Sequence, residues 1–135
     1  MTLKASVACR NAMLDAMIAR LPGGIMRLYS GTRPADVGTA LSGNTVLAEL
    51  TLGTPAAGAS VGGSVSFNAI TQDTSANATG TASFFRIFQS NGTTAELDGN
   101  VSDSPGADRL QLNTVALVAG GPVQVTSLSV TAPGA

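Results

Sequence analysis

Oxygen-bearing side chains alternate along Asp98-Gly99-Asn100-Val101-Ser102-Asp103-Ser104, a run that could wrap a calcium ion. An EF-hand loop starting at Asp98 would require glycine at position 103 and glutamate at 109, where the chain has Asp103 and Arg109. A turn between strands accounts for these residues with fewer assumptions, and no metal site is expected. Glu96 and Asp98 are spaced to share a strand face and could pose as the acid pair of a glycosidase. Carbohydrate sites usually add aromatic platforms, and here four Phe and one Tyr, with no Trp, are mostly claimed by the expected core. A charged strand face is the simpler reading. With no histidine in the chain, the usual triad base and the commonest metal ligand are both missing. There is no G-x-S-x-G elbow, phosphate loop or dinucleotide fingerprint. The sequence therefore predicts a protein that is not an enzyme, with no catalytic residue and no cofactor.

Composition agrees with that reading. Charged residues are 11% of the chain, well under the roughly 25% of ordinary globular proteins, while Ala, Gly, Ser and Thr fill 65 of 135 positions. A surface this weakly charged suits a subunit packed into an assembly, or a small soluble β domain. The net charge of −1 hides an asymmetry. Residues 1–35 carry five bases against Asp15 alone, whereas the remainder carries Arg86 and Arg109 against seven acids. Matching of the two halves, within or between subunits, is expected; five scattered bases with one Tyr make a poor nucleic-acid surface. Cys9 has no partner for an internal disulfide and is expected to be a buried thiol in a helix. Arg10, Asn11 and Asp15 interrupt any apolar leader and no run is long enough to span a bilayer, so synthesis in a cytoplasm without membrane attachment is expected. The sequons at Asn77, Asn91 and Asn100 are then chance products of a Thr-rich chain.

The elements that position these residues centre on Gly80 to Val101. Phe84, Phe85, Ile87 and Phe88 precede Asn91-Gly92, a strong signal for a two-residue hairpin turn. With that turn, Phe88 lies opposite Ala95, Arg86 opposite Leu97, Phe84 opposite Gly99 and Ala82 opposite Val101. This face is expected to point into the core, with the Phe84 ring covering Gly99. Arg86 is its one charged member. It is expected either to reach the edge of the sandwich or to pair with an acid such as Asp73 or Asp108. The opposite face carries Phe85 and Ile87 among Glu96, Asp98 and hydroxyls, and also requires a cover.

Around the hairpin, Thr2 or Ser6 could cap a helix running from about residue 3 to Leu21. Its apolar stripe is Leu3, Val7, Leu14, Met17, Ile18 and Leu21, and Pro22-Gly23-Gly24 ends it. Strands are expected at Ile25–Ser30, Val46–Leu52 with Leu47 outward, Ser64–Ile70, Arg109–Val118 and Val123–Thr131. Residues 53–63, nearly all Gly, Ala, Ser and Pro, read as a mobile loop or an arm that a partner orders. Turn chemistry fills Ser102 to Asp108. One helix followed by seven or eight short strands predicts a single domain over 1–135, with an N-terminal helical segment (1–22) and a β-sandwich (25–131). The expected class is mainly β, an antiparallel, jelly-roll-like sandwich. The helix should cover the Phe85 and Ile87 face or an open end of the sandwich.

Several stretches resemble a group of small virion proteins of tailed bacteriophages that are similar to capsid cement, or decoration, proteins. They are Arg10-Asn11-Ala12-Met13-Leu14-Asp15-Ala16, Arg27-Leu28-Tyr29-Ser30-Gly31-Thr32-Arg33-Pro34, Leu47-Ala48-Glu49-Leu50-Thr51-Leu52, Gln72-Asp73-Thr74-Ser75 with Gly80-Thr81-Ala82-Ser83-Phe84-Phe85-Arg86-Ile87, and Val125-Thr126-Ser127-Leu128-Ser129-Val130. The resemblance implies a jelly-roll homodimer on the outer capsid surface that clamps the major capsid protein; a tail or head-fibre module is the alternative. No site residue carries over from it. The interface expected from the residues themselves comprises Lys4, Arg10, Met13, Met17 and Arg20 of the helix with Phe85, Ile87, Glu96 and Asp98, on the same chain or on a twofold mate.

Overall fold

The computed structural model describes residues 3–104 and 109–134. Helix α1 is Val7–Ile18, and Ser6 is its cap, with Oγ accepting from the Cys9 amide at 3.0 Å. Thr2, the other expected cap, lies outside the described residues. The helix is shorter than the apolar spacing suggested. Its last turn tightens as Leu21 N donates to Ile18 O, and Gly24 N to Leu21 O swings the chain into the first strand.

The strands are β1 Ile25–Tyr29, β2 Val46–Thr51, β3 Ser64–Ser66, β4 Gly80–Thr81, β5 Phe84–Phe88, β6 Ala95–Ser102, β7 Arg109–Leu112, β8 Ala116–Leu117 and β9 Val125–Thr131. Seven form one sheet in the order β2-β1-β5-β6-β7-β9-β3, and β4 pairs with β8 in a small second sheet. The expected strand Arg109–Val118 is thus two strands serving different sheets. Every pairing is antiparallel except β6 with β7, which run parallel from Asn100 opposite Arg109. Within the expected turn Ser102 to Asp108, residues 105–108 lie outside the described ones.

The fold is mainly β and sandwich-like, with one N-terminal helix. Two rows of residues run across the first four strands on one face: Leu50, Met26, Ile87 and Leu97, then Ala48, Leu28, Phe85 and Gly99. Most of these side chains join Val65 of β3, Leu110 and Leu112 of β7, Leu128 of β9 and Leu14 and Ile18 of α1 in one buried cluster, so both halves of the sheet and the helix share a core. The edges are covered. Thr71 bridges Thr51 at the end of β2, Asn77 N donates to Leu47 O, and Asp73 Oδ2 accepts from the Glu49 amide. Beyond β3, Phe67 bridges Ala57. Strand edges closed in this way offer no row of bare amides to another chain.

The hairpin corrects the expected register. Phe88 does face Ala95, but an irregularity between Ile87 and Phe88 leaves Glu96 as an extra residue, which puts Ile87 opposite Leu97, Arg86 opposite Asp98 and Phe85 opposite Gly99. The turn is longer than two residues. Gln89 N donates to Thr94 O, Asn91 Oδ1 accepts from the amides of Thr93 and Thr94, and Gly92 holds φ +72°. Core and outer faces are therefore exchanged. Phe85 and Ile87 point into the core, and it is the Phe85 ring that covers Gly99, where a Cβ would stand 2.5 Å from the ring. Phe84, Arg86 and Phe88 lie on the other face, buried as well.

Two further expectations are overturned. Leu47 is fully buried, because the Gly80 backbone packs against its side chain. Residues 53–63 are a packed segment and not an arm: Ala56, Ala57 and Ser60 are buried, Asn68 N donates to Ala56 O, and Val61 and Ser64 exchange two bonds around Gly62-Gly63, both at positive φ. Small side chains let this backbone lie directly on the core and the helix, so it needs no large apolar group of its own.

Candidate functional site

The outer face of the first four strands carries a row of charges: Glu49, Arg27, Arg86 and Asp98. The two adjacent guanidinium groups turn away from each other. Arg27 Nε donates to Glu49 Oε2 at 2.8 Å and its guanidinium lies 4.7 Å from the centre of the Phe88 ring. Arg86 makes a two-pronged contact with Asp98, Nε to Oδ1 at 2.7 Å and Nη2 to Oδ2 at 2.8 Å, with both side chains nearly inaccessible. Two of its three remaining protons reach the carbonyls of Thr39 at 3.1 Å and Asp36 at 3.4 Å, in the irregular segment between β1 and β2. That segment is a strap over Arg86, and on the same face the buried rings of Tyr29 and Phe84 stack with centres 5.1 Å apart. Asn44 Nδ2 fastens its far end to Ser30 O, and Ser83 Oγ holds Gly31 O. The Asp98 hydrogen bond holds the Arg86 pKa above its usual value, and burial pushes the Tyr29 phenol up. The two guanidinium groups are engaged by Glu49, Asp98 and backbone carbonyls, and the arrangement fixes a loop.

Neither Asp73 nor Asp108 is the acid for Arg86. Asp73 serves the β2 edge and the Ser75 amide, and Asp108 lies outside the described residues. As a surface for a second chain Phe85, Ile87 and Asp98 are corrected: the first two lie in the core cluster that also holds Leu14 and Ile18 of the same chain's helix, and the third is buried against Arg86. Met17 is partly buried against the core. Glu96, set apart by its extra place in β6, accepts Arg20 Nε at 2.7 Å and Nη2 at 2.8 Å and also binds Gln89, and the Arg20 contact holds its pKa below the usual carboxylate range. Among the described residues no cluster of three or more metal-ligating side chains occurs, and no helix is long and apolar enough to cross a membrane.

What remains is the outward surface of α1. Its polar side chains reach toward the turn at residues 60–63, although Asp15 stays exposed. Asn11 Oδ1 accepts from Gly63 N at 2.8 Å, Asp15 Oδ1 accepts from Ser60 Oγ at 2.7 Å, and the Arg10 guanidinium lies flat over Gly63 with its Nε buried. Ala8, Cys9, Ala12, Met13, Ala16 and Ala19 are exposed, so the free thiol is on the surface and not in the core. At the N-terminal end Leu3, Ala5, Cys9, Met13 and Pro133 line a groove of about 360 Å³, with Lys4 at its rim. Ala5 N bonded to Gly134 O at 2.8 Å holds the groove's two walls together. Leu3 and Val7, assigned to the buried stripe by spacing, are exposed; Leu3 precedes the helix and Val7 is its first residue. Of the expected interface, then, Lys4 and Met13 border one exposed apolar surface and Arg20 with Glu96 sits just past the end of the helix.

No protein-family model, curated protein or solved structure matches the chain.

Proposed function

We propose that this chain is a structural component of a bacteriophage virion that is made in the host cytoplasm, binds the outer surface of the capsid and stabilises the shell. The observation that carries the reading is the contrast between α1 and the sheet. Along the sheet, charges are spent on internal pairs and strand edges are closed, while α1 and the residues before it expose Leu3, Val7 and Met13, a largely apolar surface of the sort that packs against another protein. The resemblance of the Arg10–Ala16 and Gly80–Ile87 stretches to cement proteins supplies the partner, the major capsid protein.

Gel densitometry of purified virions tests the proposal. Hundreds of copies per particle are expected of a shell component. A few copies confined to tails would replace it with the tail or head-fibre reading. Purified protein added to undecorated shells should bind and raise the temperature of genome release, and Met13→Glu should abolish both effects while leaving the fold intact.

A further inference from the structure

We infer that Asn91 is a latent self-modification site: its carboxamide is set to become aspartate or isoaspartate by attack of the Gly92 amide, and the folded turn holds that reaction back. The inference is independent of the capsid reading. Asn91-Gly92 is the one Asn-Gly pair in the chain, and Asn91 stands exposed to water at the tip of the hairpin between β5 and β6. Glycine has no side chain to shield its nitrogen, so the reaction meets its least steric resistance here. Solvent base takes the Gly92 amide proton, the nitrogen bonds to Asn91 Cγ, and the bond from Cγ to Nδ2 breaks to release ammonia. Water then opens the cyclic imide at either carbonyl. Asparagine and water thus become aspartate or isoaspartate and ammonia, with no oxidant or cofactor.

The turn restrains both reacting groups. Gly92 N donates its proton to Gln89 O at 2.9 Å, and Gly92 O accepts from Arg27 Nη1 at 3.0 Å, which ties the tip to the charged row on β1 and β2. Asn91 Oδ1 accepts from the amides of Thr93 at 2.9 Å and Thr94 at 3.0 Å, while Nδ2 donates to Thr94 Oγ1 at 2.8 Å. The two amides on Oδ1 draw electron density from Cγ, as the donors of an oxyanion hole do. Ring closure still waits on a nitrogen whose proton is engaged and whose carbonyl is anchored. It therefore runs through a tip that has opened, and its rate follows the population of that open form. The two products differ in what they do to the turn. Aspartate keeps acceptors for both amides, and the Thr94 hydroxyl can rotate to donate to it. Isoaspartate routes the main chain through Cβ and Cγ, which adds an atom between residues 91 and 92 and draws Gly92 O away from Arg27.

Peptide mapping by mass spectrometry tests this on the purified full chain, incubated in mildly alkaline buffer either folded or unfolded in guanidinium chloride. Asn91 in the folded chain should convert at least about tenfold more slowly than in the unfolded one, because only the open tip reacts. Thr94→Val, which frees Nδ2, and Arg27→Met, which frees Gly92 O, should each raise the folded rate about threefold or more, each having lost one hydrogen bond that holds the tip. If either variant fails to fold, as judged by its melting transition, Thr94→Ala or Arg27→Gln takes its place. Asn91→Asp should melt with the wild type, whereas the separated isoaspartyl form should melt lower. A folded rate equal to or above the unfolded one would overturn the inference. So would folded variants at both positions that convert no faster than the wild type, or an isoaspartyl form that melts with it.

Discussion

Arg86 and Asp98 show what one inserted residue does to a sheet. Without the extra Glu96, Asp98 would face away from Arg86, and a guanidinium would be buried with no acid. Asp98→Asn should therefore cost about 3–5 kcal/mol in urea unfolding, because it strands a buried charge. The double replacement Arg86→Met with Asp98→Leu should recover most of that loss, since burying the pair already cancels much of its Coulombic gain. Tyr29 supplies a second test. Its phenol is held above its ordinary value by burial, so folding favours the protonated form. Tyr29 thus contributes stability that is fully present below about pH 10 and is lost as pH rises through the folded value. Ultraviolet titration should show the phenol ionising later in the native protein than in urea, and Asp98→Asn, by loosening the strap, should bring it back toward the ordinary value.

For elements, the sequence was most informative where periodicity and turn chemistry agreed, and least where a count of one mattered. The helix, the Phe84–Phe88 strand and the turn at Asn91-Gly92 were readable, and the Phe88–Ala95 pair was placed correctly. The core and outer faces of β5 are nevertheless exchanged, Phe88 included, because the extra Glu96 makes the apolar Leu97 and Gly99 the partners of Ile87 and Phe85 in place of Arg86 and Phe84, and Glu96 carries no mark of a bulge. Segment 53–63 was opaque for a different reason: alanine and glycine give no hydrophobic signal even where their backbone is buried. The Arg20–Glu96 contact could be anticipated from the charge asymmetry, but the packing of Arg10 against Gly63 could not. Gly99→Ala checks the corrected register. The new methyl would meet the Phe85 ring at 2.5 Å and should cost about 1–3 kcal/mol in thermal unfolding, partly relieved by Phe85→Leu. Had Phe84 faced Gly99, Phe85→Leu would give no relief.

Across the whole molecule, the basic N-terminal segment is tied to the acidic remainder by Arg20–Glu96 and Arg27–Glu49. The first joins the end of the helix to the hairpin. The carboxyl of Glu96 is held below its usual range by Arg20, so its contribution is present above the unfolded value of about 4.3 and is lost as pH falls through the lower folded value. The melting temperature should fall on acidification below that point, and Arg20→Gln should flatten this part of the profile without altering the alkaline limb governed by Tyr29.

The strap has an optical consequence. The chain has no tryptophan and Tyr29 is its only tyrosine, so its intrinsic ultraviolet emission is dominated by one ring, stacked on Phe84 where the strap leaves β1. Fluorescence will therefore report local opening of that side of the sheet without any label. Docking on α1 will be dark to the same measurement, so a change in emission when a partner is added would place that partner on the strap and not on the helix.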